Sequence, residues 1–197
     1  MKSIKTITTH TLIIKKSEFI TTLIPCNDLD EADALIKDFA KTDATHNCVA
    51  YIIGPHEKAN DDGEPSGTAG LPMLNVLKRQ GLSNIIAIVT RYFGGIKLGA
   101  GGLTRAYTNA VAQTLKEAEI VEKELVKKYR LDIDYHYAKK VDYLIKARGY
   151  TLLDTTYDTQ VHYTLFLPDE GFLDELKDLT NNTFTFENCG MDYMSVK

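Results

Sequence analysis

Two glycine-rich segments constrain this chain more than anything else in it: Asp61-Asp62-Gly63-Glu64-Pro65-Ser66-Gly67-Thr68-Ala69-Gly70 and Arg91-Tyr92-Phe93-Gly94-Gly95-Ile96-Lys97-Leu98-Gly99-Ala100-Gly101-Gly102-Leu103. Eight of the chain's 13 glycines fall within them, whereas an ordinary turn uses one or two. Glycine has no Cβ, so it reaches positive φ cheaply and lets another surface come close to the backbone. The clustering implies that something is held against these two stretches.

The flanking patterns place both segments where helices begin. Ile4 to Pro25 reads as two strands joined by a turn at Lys15-Lys16-Ser17-Glu18, and Asp28 to Ala40 as a helix with acids in its first turn. His46 to Ile53 is a buried strand ending at Gly54-Pro55. Leu71 to Arg79 is a helix entered through Pro72 and closed by Gly81, and Asn84 to Phe93 is a central strand. Leu103, Ala106, Tyr107, Ala110, Val111, Thr114, Leu115 and Ala118 recur at helical spacing, which predicts a long helix burying that face.

The charge-dense stretch Glu117 to Lys128, with a short strand through Ile120-Val121, marks a domain boundary, giving domains of residues 1–125 and 126–197. The second reads as strand (Tyr129 to Tyr135), helix (Ala138 to Ala147), strand (Thr151 to Thr156), strand (Gln160 to Leu167), helix (Glu170 to Leu179) and strand (Thr183 to Glu187). That order is the βαββαβ split unit, so the expected class is α+β in two domains.

Composition narrows the function. The net charge of −4 removes a whole-domain basic footprint, so any nucleic-acid contact must come from a local patch. Cys26, Cys48 and Cys189 are odd in number and widely spaced, which leaves no readable disulfide framework or zinc site and fits a reducing cytoplasm. Neither a signal-peptide core nor a run of roughly 20 apolar residues is present, so no membrane partner is expected.

The second glycine segment lies between a strand and a long helix, and a helix N-terminus with glycine-loop N–H groups favours an anion. Arg91, Lys97 and Arg105 are its cationic neighbours, with Tyr92, Gly94, Gly95, Gly99, Gly101 and Gly102 completing the candidate anion- or partner-binding set. Gly95 or Gly101 is expected at positive φ or against a ligand. The competing reading is that these glycines only allow tight packing of helix on sheet. A Walker P-loop is excluded because no Lys-Ser/Thr pair follows the four-residue gap from Gly94 to Gly99, and no GxGxxG fingerprint is present.

Asp61, Asp62 and Glu64, with Ser66 and Thr68, form an acidic turn that could receive a basic segment or Mg²⁺, although Asp-Gly and Glu-Pro are also common turn chemistry. His46 lies two residues from Cys48 on one strand face, yet no third group can be assigned to complete a catalytic set. Ser66 is not in a GxSxG elbow. No catalytic residue, metal site or cofactor is therefore assigned.

The run from His46-Asn47-Cys48-Val49-Ala50-Tyr51 through the acidic turn to Arg91–Tyr107 closely resembles the IMPACT (YigZ) family, and the likeness extends over the whole chain. The resemblance implies an N-terminal domain similar to the second domain of a small-subunit ribosomal protein. It also implies a ferredoxin-like C-terminal domain similar to the last domain of elongation factor G. Both relatives handle RNA on the ribosome, so the expected function is a cytoplasmic binding protein in translation or its stress regulation, with RNA or a ribosome-associated protein as partner. The rival is a nucleotide- or phosphate-binding enzyme, such as a phosphohydrolase, using the same pocket. Arg91, Lys97 and Arg105 open to solvent would favour the first; a closed cavity with convergent carboxylates would favour the second.

Overall fold

A computed structural model describes residues 1–167 and 171–196 and divides the chain into two compact units, Met1–Lys123 and Glu124–Val196. The first unit contains β1 (Lys2–Ile4), β2 (Thr8–Ile14), β3 (Ser17–Pro25), α1 (Leu29–Phe39), β4 (His46–Ile53), β5 (His56–Asn60), α2 (Gly70–Arg79), β6 (Ile85–Tyr92) and α3 (Ala100–Glu117). Five of these strands form one sheet in the order β2-β3-β6-β4-β5, with antiparallel neighbours throughout.

β6 is central and buried along Ile85–Arg91, so its side chains divide between two cores. Ile85, Ala87 and Val89 face α2 and α3, meeting Met73, Leu77, Ala106, Tyr107 and Ala110. Ile86 and Ile88 face the other way, where α1 covers them with Ala32 and its neighbours. The helix α1 starts as its acids suggest, with the Asp28 carboxylate accepting from the Asp30 N–H at 3.0 Å.

The second unit contains most of β7 (Ile120–Ile133), then α4 (Tyr135–Arg148), β8 (Thr151–Tyr157), β9 (Val161–Phe166), α5 (Gly171–Thr180) and β10 (Phe184–Val196). Its sheet runs β10-β7-β9-β8, the interleaved order of a ferredoxin-like βαββαβ unit. Tyr129, Leu131, Ile133, Val161, Tyr163 and Leu165 meet Val141, Ile145, Phe172 and Leu176 in one core. The start of α5 expected at Glu170 lies outside the described residues.

The structure differs from the sequence expectation in β1, a short strand ahead of the two expected before Pro25, and in β5, β7 and β10. β5 was not foreseen, because His56-Glu57-Lys58-Ala59-Asn60 is exposed at every position and carries no apolar alternation. β7 is one strand of 14 residues where a charged boundary with a short strand through Ile120-Val121 and a separate strand from Tyr129 was expected; its alternation breaks at the adjacent exposed pair Glu124 and Leu125, so no continuous strand pattern shows through the charge. Its first residues pair with β1, Lys2 opposite Glu122 and Ile4 opposite Ile120. β10 likewise continues to Val196, well beyond Glu187.

Candidate functional site

Register builds the site. Arg91 on β6 is opposite Phe19 on β3 and also opposite His46 on β4, so these three residues form one cross-strand row. The next row on the same face is Thr21, Val89 and Cys48. Tyr107 of α3 packs edge-on to Phe19, with ring centroids 5.3 Å apart.

Into this row comes Glu64. Its Oε1 accepts from Arg91 Nη1 at 2.6 Å and from the Tyr107 hydroxyl at 2.8 Å. The side chains of Glu64 and Arg91 are only 3% and 6% exposed. Arg91 also donates through Nη2 to Ser17 Oγ at 3.3 Å, and its guanidinium lies 5.4 and 5.5 Å from the rings of Phe19 and Phe93. Its Nε is buried with no partner among the described residues. The His46 Nδ1–H donates to the Asp62 carbonyl at 2.7 Å, since a carbonyl can only accept, and this leaves Nε2 3.8 Å from Glu64 Oε2.

Cys48 completes the cluster as a buried thiol. Its Sγ donates to the Asp61 carbonyl at 3.0 Å and lies 3.3 Å from the Tyr107 hydroxyl. Burial pushes the thiol up to about 12, and the same burial raises the Tyr107 phenol.

The acidic turn is mostly turned inward. Asp61 accepts from three backbone N–H groups, those of Gly67 at 2.7 Å, Ala69 at 2.9 Å and Gly70 at 2.8 Å. Burial alone would raise its carboxyl, but these bonds outweigh that and hold it low. Since Ala69 and Gly70 open α2, Asp61 is the anion at that helix N-terminus. Asp62 is exposed and accepts from the Asn47 N–H at 2.5 Å. Buried Thr68 donates to the Pro65 carbonyl at 2.6 Å, while Ser66 is exposed.

The second glycine segment forms a cleft of about 360 Å³ at the start of α3, bounded by Glu64, Arg91, Phe93, Lys97, Gly99 and Leu103. Gly99, the residue before the helix, has φ 71° and ψ 165°, a conformation open to glycine, and no side chain caps the helix. Gly94 is a packing glycine: a Cβ there would be 2.0 Å from the backbone of Lys16. Gly95 has the expected positive φ of 82°, but Gly101 does not; it sits in the first turn of α3. Gly102 follows it there, close against Leu98.

Of the predicted cations, the structure brings Arg91 and Lys97 to the cleft. Arg91 is held in an internal ion pair and Lys97 is exposed. Arg105 is exposed on α3, and Tyr92 faces away from Arg91 and donates to Asp43 at 3.0 Å. The solvent-open cluster of all three cations does not form, because β6 alternation sends Arg91 into the core. Tyr107, Phe19 and Ser17 escaped the sequence reading as site residues. The signal for Tyr107 was a phenol hydroxyl on the buried face of a long helix, which requires a buried partner.

Among the described residues, no helix is long and apolar enough to cross a membrane. Residues 15–115 match the Impact N-terminal domain, and residues 131–183 match a domain of unknown function, DUF1949. The IMPACT family member YvyE of Bacillus subtilis is 39% identical over 193 residues, covering 94% of this chain and 89% of that protein. YigZ of Escherichia coli, also an IMPACT family member, is 36% identical over 162 residues, covering 79% of each. A crystal structure of a hypothetical protein superposes with a TM-score of 0.66 at 30% identity, covering 100% of this chain and 97% of that one. A site laid out on the Impact N-terminal domain, followed by the second domain, is thus carried by a chain that belongs to the IMPACT family.

Proposed function

We propose that this protein is a cytoplasmic binding protein of translation or its stress regulation, and that the cleft at the start of α3 receives a phosphate group of RNA. One observation carries the reading: a helix N-terminus without a side-chain cap and a buried arginine with an unpaired Nε border the same cleft. The charge there supports an anion. Arg91 offsets Glu64, leaving Lys97 and the partial positive charge of the helix end. The contrast with α2 adds to this, since there Asp61 already occupies the equivalent position.

The test is sedimentation of the full chain with ribosomes across a salt series, with and without nuclease. Phosphate contacts release counterions, so co-sedimentation should fall as salt rises and disappear after nuclease treatment. Lys97→Ala should weaken it; an unchanged profile for a folded Lys97→Ala protein sinks the cleft as the contact. The Glu64 carboxylate in the cleft wall supports a second reading, hydrolysis of a phosphate ester. Turnover of a nucleotide by the wild type and its loss in Glu64→Gln would favour that reading instead.

A further inference from the structure

A second surface lies in the Glu124–Val196 unit, on the outward side of α4. Val141 and Ile145 bury the inner side of this helix. Lys139 and Lys140 precede Tyr143 by four and three residues and Lys146 follows it by three, so the three lysines flank Tyr143 on the outer side, where all four residues are exposed. Tyr143 is 75% exposed, the highest value among the exposed large apolar and aromatic residues described. Arg148 in the last turn is paired with Glu175, but Lys139, Lys140 and Lys146 form no ion pair among the described residues. The one acid within the helix, Asp142, is engaged by the Tyr163 hydroxyl at 2.7 Å.

Beside this stripe is a cleft of about 350 Å³, lined by Ile145, Tyr150 and Leu152, with Asp142 and Lys146 supplying its polar groups. That volume falls within the range of small-ligand sites, and a mostly apolar cleft with a few polar groups suits a flat heterocycle.

We propose that this face binds single-stranded nucleic acid, with a base stacked on Tyr143, phosphates on Lys139, Lys140 and Lys146, and a neighbouring base in the Ile145–Leu152 cleft. Unpaired lysines alone would suit any polyanion. The exposed aromatic ring between them and the apolar cleft favour free bases, because stacking on an aromatic ring needs a base not already stacked in a duplex. The surface is separate from the α3 cleft and does not depend on that reading.

The experiment is fluorescence anisotropy of the full chain with a labelled ten-nucleotide oligouridine across a salt series. The wild type should bind at low salt. Tyr143→Ala should weaken binding about tenfold or more, Tyr143→Phe should retain it, and Lys37→Ala, an exposed lysine on α1, should match the wild type. Removing all three α4 lysines should make the log affinity against log salt slope shallower by about 2, from about 0.7 per phosphate contact on a single strand. Thermal melting confirms that each variant is folded, and Lys97→Ala separates this surface from the α3 cleft. The proposal is overturned if the oligonucleotide fails to bind, or if binding ignores Tyr143 and the α4 lysines. It is also overturned if a labelled poly-glutamate peptide binds as tightly as the oligonucleotide and equally well after Tyr143→Ala.

Discussion

The Glu64 carboxylate and the Arg91 guanidinium meet at 2.6 Å although 27 residues separate them, and both side chains are almost wholly removed from water. The Tyr107 hydroxyl donates to the same carboxylate oxygen, so three segments of the first unit converge on one atom. A carboxylate in this position orders the cleft wall as well as contributing charge to it.

Removing either partner leaves the other buried and uncompensated. We expect Glu64→Ala to lose about 3 to 5 kcal/mol of unfolding free energy, read from urea denaturation. Asp62→Asn, at an exposed position, should stay within about 0.5 kcal/mol of wild type. Equal stability of wild type and Glu64→Ala would show that the pair is not an internal support.

The glycines of the second segment should separate by role. Gly94→Ala places a methyl group 2.0 Å from the Lys16 backbone, forcing the β2–β3 turn to move, so a clear drop in Tm is expected. Gly101 is helical, and its added Cβ would meet only Arg105 Nη1 at 3.7 Å. Gly101→Ala should therefore melt at the same temperature or higher, with a gain of up to about 1 kcal/mol from helix propensity. A Gly101→Ala protein less stable than Gly94→Ala would contradict this division.

In the second unit, both ring nitrogens of His162 face carboxylates: Nδ1 is 2.6 Å from Asp132 and Nε2 is 2.8 Å from Asp158. The hydrogen bonds to Asp132 and then Asp158 raise the His162 pKa above 6.5, outweighing the opposing effect of burial; Arg130 lies 3.1 Å from Nδ1. A raised folded pKa means stability that is fully present below pH 6.5 and lost as pH climbs through the folded value. Tm should thus fall between pH 6 and pH 8 in wild type, with a flatter profile in His162→Gln. Asp158 works in the opposite direction: the Gln160 N–H and then His162 lower it to about 2, so its contribution is present above pH 3.8 and lost as pH falls toward 2.

Cysteine labelling offers a direct check on the first core. Cys48 and Cys26 are buried with raised pKa values, burial being the main cause in each, whereas Cys189 is exposed. Iodoacetamide at pH 8 should modify Cys189 alone in the native protein and all three after unfolding. Rapid native modification of Cys48 would mean that the cluster around Tyr107 is open.

The elements with strong periodicity were legible in the chain: Ile85–Val89 as a central strand, the Leu103–Ala118 face as a long helix, and the βαββαβ order of the second unit. β5 was not, because an exposed strand of charged residues pairs through its backbone and leaves no apolar pattern. The glycine segments contain Glu64 and Arg91, yet the direction of these two side chains did not follow from them. Their burial depends on a row shared by Phe19, Arg91 and His46, and such rows exist only once strands from distant parts of the chain are in register.

The pairing of Lys2–Ile4 with Ile120–Glu122 has a consequence for how the chain is made. A polypeptide is synthesised from its amino end, so β1 waits without its strand partner while more than a hundred residues are added. Ile4 belongs to the same core as Leu77, Leu82 and Ile85, so that core gains its last hydrogen-bonded edge only after residue 122 has left the ribosome. Nascent chains arrested shortly before that point should be cut readily by protease near their amino ends; chains arrested well beyond it should resist.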